Sequence, residues 1–176
     1  MGRSEQGVSN AIAHYTTVPR TLCFVERDGP DGPEVLLLRG APHKRLWANQ
    51  YNGVGGHVER GEDIDTAARR EFREETGLEA TDLRLRAVVH IDAGPPAPGV
   101  LVFVFAGRCR EGQPQPAAEG SLEWVPRSRV TSLNLVPDLR ELLPRLWAQP
   151  EDAPPFYGRY SYDEDDHLVM EWSDPA

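Results

Sequence analysis

The stretch from Asp63 to Gly77 limits what this chain can become more than any other, because it predicts a helix that carries acids where the buried face should be. Spacing residues at about 100° groups Ala67, Ala68 and Phe72 around Ile64 as one apolar side. Glu71 and Glu75 fall inside that side, Glu74 lies at its border, and Asp65, Arg69 and Arg73 face the solvent opposite. Like charges three or four residues apart cost a helix roughly 0.2–0.5 kcal/mol per pair, and desolvating a carboxylate costs considerably more. Something must compensate. Arg70 makes a good i,i+4 pair with Glu74, but for Glu71 and Glu75 the arginines are expected to point away. A hard divalent cation such as Mg²⁺ or Mn²⁺, which prefers oxygen ligands, fits these two acids better than a solvated helix face does.

The rest of the sequence places that helix in an α/β domain. With 176 residues, 39% hydrophobic and 27% charged, the chain is sized for one domain with ragged ends. Residues 1–20 lack sustained periodicity and are expected to form a flexible arm, with the domain running over 21–176. Two apolar runs, 21–26 and 34–39, flank a Gly-Pro-rich turn and predict a hairpin. A second strand pair is predicted over 82–92 and 100–107, a short strand over 121–126, and a helix from Pro137 to about Trp147. The segments 156–162 and 167–172 flank the acidic run Asp163–Asp166, read as a solvated hairpin turn. The sum is a mixed sheet with a helix on each side.

Composition excludes several functions. Nineteen Lys plus Arg against 28 Asp plus Glu give a formal charge of −9, the wrong sign for gripping a nucleic-acid polymer through its phosphates. Lys44, the single lysine, lacks the Gly-Lys-Ser/Thr context of a phosphate-cradling loop. Cys23 and Cys109 are too few for a disulfide framework and point to a cytoplasmic setting. No apolar run is long enough for a membrane span.

Gly56, Glu62 and then Arg70-Glu71-Phe72-Arg73-Glu74-Glu75-Thr76-Gly77-Leu78 match, without a gap, the signature of the Nudix hydrolases, so the chain resembles that family over the box 56–78. The resemblance implies an α/β/α sandwich and hydrolysis of a nucleoside diphosphate linked to another group. It also implies Mg²⁺, with Mn²⁺ as the alternative ion, on Glu71, Glu74, Glu75 and the carbonyl of Gly55. Glu62 and Arg70 take the family's structural salt-bridge positions. Glu71 or Glu74 becomes the candidate general base, and Glu119 either a further metal-binding acid or part of a loop turn.

The likeness extends over roughly residues 21–172 to the MutT-like branch that clears oxidised purine nucleoside triphosphates. Asn52-Gly53-Val54-Gly55-Gly56 is similar to a segment whose Asn recognises the purine, although Asn-Gly is also an ordinary turn pair. Where a member of that branch has Trp-Pro-Asp-Asp around the base, this chain has Val136-Pro137-Asp138-Leu139. Asp138 therefore either keeps a base-binding role or serves the helix dipole. Arg39 and Arg45 are the candidate contacts to terminal phosphates.

The expected activity is Mg²⁺-dependent cleavage of a purine nucleoside triphosphate, such as 8-oxo-dGTP, to the monophosphate and pyrophosphate, by a monomer or homodimer. The rivals are an ADP-ribose or nucleotide-sugar pyrophosphatase and a nucleotide-sensing module without turnover.

Overall fold

The computed structural model describes residues 15–110, 112–117 and 119–173. Chain order is β1 (Thr17–Gly29), β2 (Gly32–Gly40), β3 (Tyr51–Asn52), α1 (Ile64–Thr76), β4 (Thr81–Ile91), β5 (Gly99–Arg108), β6 (Gly120–Pro126), α2 (Arg127–Val130), α3 (Leu139–Ala148), β7 (Phe156–Tyr162) and β8 (Leu168–Ser173). The sheet runs β3-β2-β1-β5-β4-β7-β8, and β6 pairs with β2. β1 with β5 and β4 with β7 are parallel, while the other pairs are antiparallel, so the sheet is mixed as expected. Leu38 pairs with both Asn52 and Leu122, which puts β3 and β6 on opposite edges of β2. No helix among the described residues is long and apolar enough to cross a membrane.

Strand alternation feeds two separate cores. Cys23, Val25, Leu36 and Phe105 join Ala68 and Phe72 of α1 on one face. Their sequence neighbours Phe24, Val35, Leu37 and Val104 join Leu139, Leu142, Leu143 and Leu146 of α3 on the other. Each helix thus seals one face of a shared sheet, which is the expected sandwich.

Local chemistry fixes α1. The Asp63 carboxylate caps it by accepting from the N–H groups of Asp65 and Thr66, both at 2.9 Å. Gly77 ends it in the left-handed region at φ 70°, its N–H donating to the Arg73 carbonyl at 2.8 Å. At the far edge, the Asp163 carboxylate accepts from the N–H groups of Asp165 and His167, so the acidic run is the turn between β7 and β8.

Two expectations need correction. The arm cannot extend to residue 20, because Thr17–Arg20 pair in parallel with Gly99–Val102; a partner some eighty positions away leaves no local periodicity to read. Residues 1–14 of the expected arm lie outside the described residues. The second helix begins at Leu139, with Asp138 at its N-cap, so Pro137 lies before it. The two-residue β3 and the single-turn α2 are too short for a periodic signal.

Candidate active site

The Gly-rich segment after β3 lies against β1. Cys23 and Val54 exchange backbone hydrogen bonds at 2.7 and 3.1 Å, and the Thr21 N–H donates to the Gly56 carbonyl at 2.9 Å. Because alternate residues of a strand present their polar groups to opposite edges, Gly55 directs its N–H and C=O away from β1. Its backbone acts on the Glu75 carboxyl, opposing part of the rise that burial imposes on it. A side chain at Gly55 would collide with the Thr21 carbonyl, and one at Gly56 would occupy the place of the Glu71 carboxylate. These two glycines let the backbone and the acids of α1 meet.

The acids are not equivalent. Arg70 donates to Glu62 at 2.6 and 3.0 Å, to Glu71 at 2.9 Å, to Glu74 at 3.1 Å and to the His57 carbonyl at 3.2 Å. The expectation that every arginine points away from Glu71 is therefore wrong. A guanidinium has five N–H donors on a long stem and can turn back along the helix to its own neighbour. Glu75 is different: its Oε2 is buried and has no hydrogen-bond partner. Burial, reinforced by the charges of Glu119 and Glu71, pushes its carboxyl up to about 7. An acid in that position lacks a cation, and a divalent ion with oxygen preference fits the donors present. Among the described residues, no three acidic, His or Cys side chains already converge as a finished cage.

Beside Gly55 opens a cavity of about 280 Å³. Gly55, Glu119 and Lys44 line it, the last two ion-paired at 2.6 Å. Val136, Asp138, Leu142 and Tyr160 line it as well, together with Asn52 and Trp47. Asn52, which lines the cavity, accepts from the Gly53 N–H through its side-chain oxygen at 2.8 Å. Asp138 makes no side-chain cap bond to α3, and burial raises its carboxyl to about 6.

The fold thus brings Asn52, Gly55, Glu119 and Asp138 to one cavity, with Glu75 reaching it through Gly55. Arg39 and Arg45 do not line it: both are exposed, and the Arg39 guanidinium lies 5.9 Å from the Tyr51 ring centre. The cations that do line it are Arg20 and Lys44. Lys44 was not among the expected site residues because it belongs to no phosphate loop, and Tyr160 was not because alternating aromatics over 156–162 are a family likeness of low information that singles out no one residue.

Residues 16–146 match the NUDIX domain family, and this span includes the acid-bearing helix and the Gly-rich segment. The chain is a Nudix hydrolase. Its family acts on phosphoric anhydride bonds and generally requires a divalent metal. This Nudix chain is 26% identical over 137 residues to a mouse protein named oxidized purine nucleoside triphosphate hydrolase, covering 78% of this chain and 85% of that one. It is 33% identical over 132 residues to a protein of Mycolicibacterium vanbaalenii named isopentenyl-diphosphate Delta-isomerase, covering 71% and 72%. In fold it resembles the MutT protein of Bacillus halodurans, with a TM-score of 0.70, 24% identity, and 90% and 99% of the two chains covered.

Proposed function

We propose that this Nudix hydrolase cleaves a purine nucleoside triphosphate, with oxidised purines such as 8-oxo-dGTP included, to the nucleoside monophosphate and pyrophosphate. The observation that carries this reading is a cavity lined both by Gly55, Glu119 and Lys44, an acid-and-cation set beside the buried Glu75, and by Asp138 and Tyr160 among apolar side chains. A nucleotide needs both kinds of partner, one for its phosphates and one for its base. An isopentenyl chain in that pocket would bury the Asp138 carboxyl and the Tyr160 hydroxyl against hydrocarbon, whereas a base supplies hydrogen-bond partners.

In this reading Glu71, Glu74, Glu75, Glu119 and the Gly55 carbonyl hold Mg²⁺ or Mn²⁺. When bound, the ion neutralises phosphate oxygens and makes water a better nucleophile. Glu71 or Glu74 takes the proton from the attacking water. Glu62 serves as scaffold: it holds Arg70, which in turn orients both candidates at 2.9 and 3.1 Å. Lys44 exchanges Glu119 for a substrate phosphate, while Asn52 and Asp138 bind the base. Arg39 and Arg45 are left as outer contacts for a phosphate tail that extends beyond the cavity.

Mass analysis of products formed with Mg²⁺ tests this directly. Monophosphate and pyrophosphate are expected from a purine triphosphate. Diphosphate with inorganic phosphate, or turnover confined to ADP-ribose with release of AMP, would overturn it.

Asp138 sets a pH dependence. Its folded value, about 6, lies above its ordinary 3.8, so the folded state holds this proton more tightly. The stabilisation is complete below 3.8 and is lost as pH rises through 6. Base binding runs the other way, since only the ionised carboxylate is a pure acceptor. KM for the preferred purine triphosphate should therefore fall as pH rises through about 6. Asp138→Asn should flatten both profiles and raise KM about tenfold, the worth of one hydrogen bond to a charged group. Unchanged profiles in KM assays and urea titrations would remove Asp138 from the base site.

A further inference from the structure

Tyr160 carries a hydroxyl that packing does not explain. The residue is 2% exposed, lines the cavity, and its hydroxyl has no hydrogen-bond partner. The ring is held firmly: it meets Trp172 edge-on at 5.4 Å, and the Tyr160 carbonyl accepts from the Asp92 N–H at 2.9 Å. Phenylalanine would fill nearly the same volume without burying an unmet donor, and a buried donor left unmet is costly. Val89, Val102, Val104 and Leu142 line the cavity with Tyr160, forming apolar walls suited to a planar ring. Asp138 lines the same cavity, and its charge acts on the Tyr160 phenol.

We propose that Tyr160 is a second base-reading residue, whose hydroxyl donates to the ring-nitrogen or carbonyl acceptor next to the N–H that Asp138 accepts. The inference rests on the nucleotide reading above and deepens it. Asp138, once ionised, offers only acceptors; Tyr160 supplies the complementary donor, and together they match a nucleobase edge that places a donor beside an acceptor. The unmet hydroxyl is then a preformed binding group that is satisfied when substrate enters. Because the contact is to the base, away from the bond that breaks, it contributes equally to ground state and transition state and affects KM rather than kcat.

The test compares wild type with Tyr160→Phe, using steady-state kinetics on guanine, adenine and 8-oxoguanine nucleoside triphosphates and calorimetry with the corresponding monophosphates. KM and the monophosphate Kd are expected to rise about tenfold for the preferred base, the worth of one desolvated hydrogen bond. kcat should stay within about twofold, and the melting temperature of the free protein should hold or increase. Ribose 5-triphosphate, which has no base, should not distinguish the two proteins. Equal Kd values for every monophosphate, or equal losses with and without a base, would overturn the proposal. Calorimetry does not depend on turnover, so a wild type that binds monophosphates through Tyr160 but releases no pyrophosphate would refute the triphosphatase reading alone.

Discussion

Glu75→Gln is expected to reduce turnover at least about a thousandfold and, at the same time, to raise the melting temperature of the metal-free protein. The two effects have one cause. Glu75 is buried, its Oε2 has no partner, and the charges of Glu119 and Glu71 already oppose its ionisation. At neutral pH the metal-free fold bears that strain, and a neutral amide of the same shape relieves it. The same substitution removes the anionic oxygen best placed to serve a divalent ion. Activity assays with excess Mg²⁺ and thermal melts in chelator would measure the two effects together. A variant that keeps wild-type activity, or one that melts lower, contradicts the assignment of Glu75 as an acid held in place for a cation.

The largest effect on stability is expected from Phe72→Ala, at about 3–5 kcal/mol. Phe72 is fully buried and lies with Cys23, Val25, Leu36 and Phe105 beneath α1. Removing its ring leaves a cavity between helix and sheet, next to Glu71 in the chain. Arg73→Ala, on the exposed face, should change stability by less than about 0.5 kcal/mol. Denaturant unfolding of both variants tests the claim that one aromatic ring seats the acid-bearing helix. A loss below about 1 kcal/mol for Phe72→Ala would mean that other contacts seat it.

What the sequence disclosed follows from how local each feature is. The helix 64–76 was legible because its cap, stripe and terminal glycine all lie within fifteen positions, and the hairpins were legible because turn residues separate their strands. The start of β1 was not, since Thr17–Arg20 owe their strand to β5. The same limit applied at the site. Helix periodicity placed Glu71 and Glu75 on the buried side, yet it treats side chains as radial spokes and so missed the Arg70 guanidinium curling back to Glu71. Arg39 and Arg45 were natural candidates by residue type. The fold turned them outward and left the cavity to Arg20 and Lys44, for which no spacing rule existed.

The central claim, that these acids and Gly55 form a seat for a divalent cation, is tested most directly by titrating Mn²⁺ into the wild type and Glu75→Gln and following bound and free metal by electron paramagnetic resonance. Saturable binding by the wild type, weakened by at least about tenfold in the variant, is the predicted result. Identical titrations for the two proteins, or no bound Mn²⁺ in either even with a non-cleavable triphosphate analogue, would contradict it.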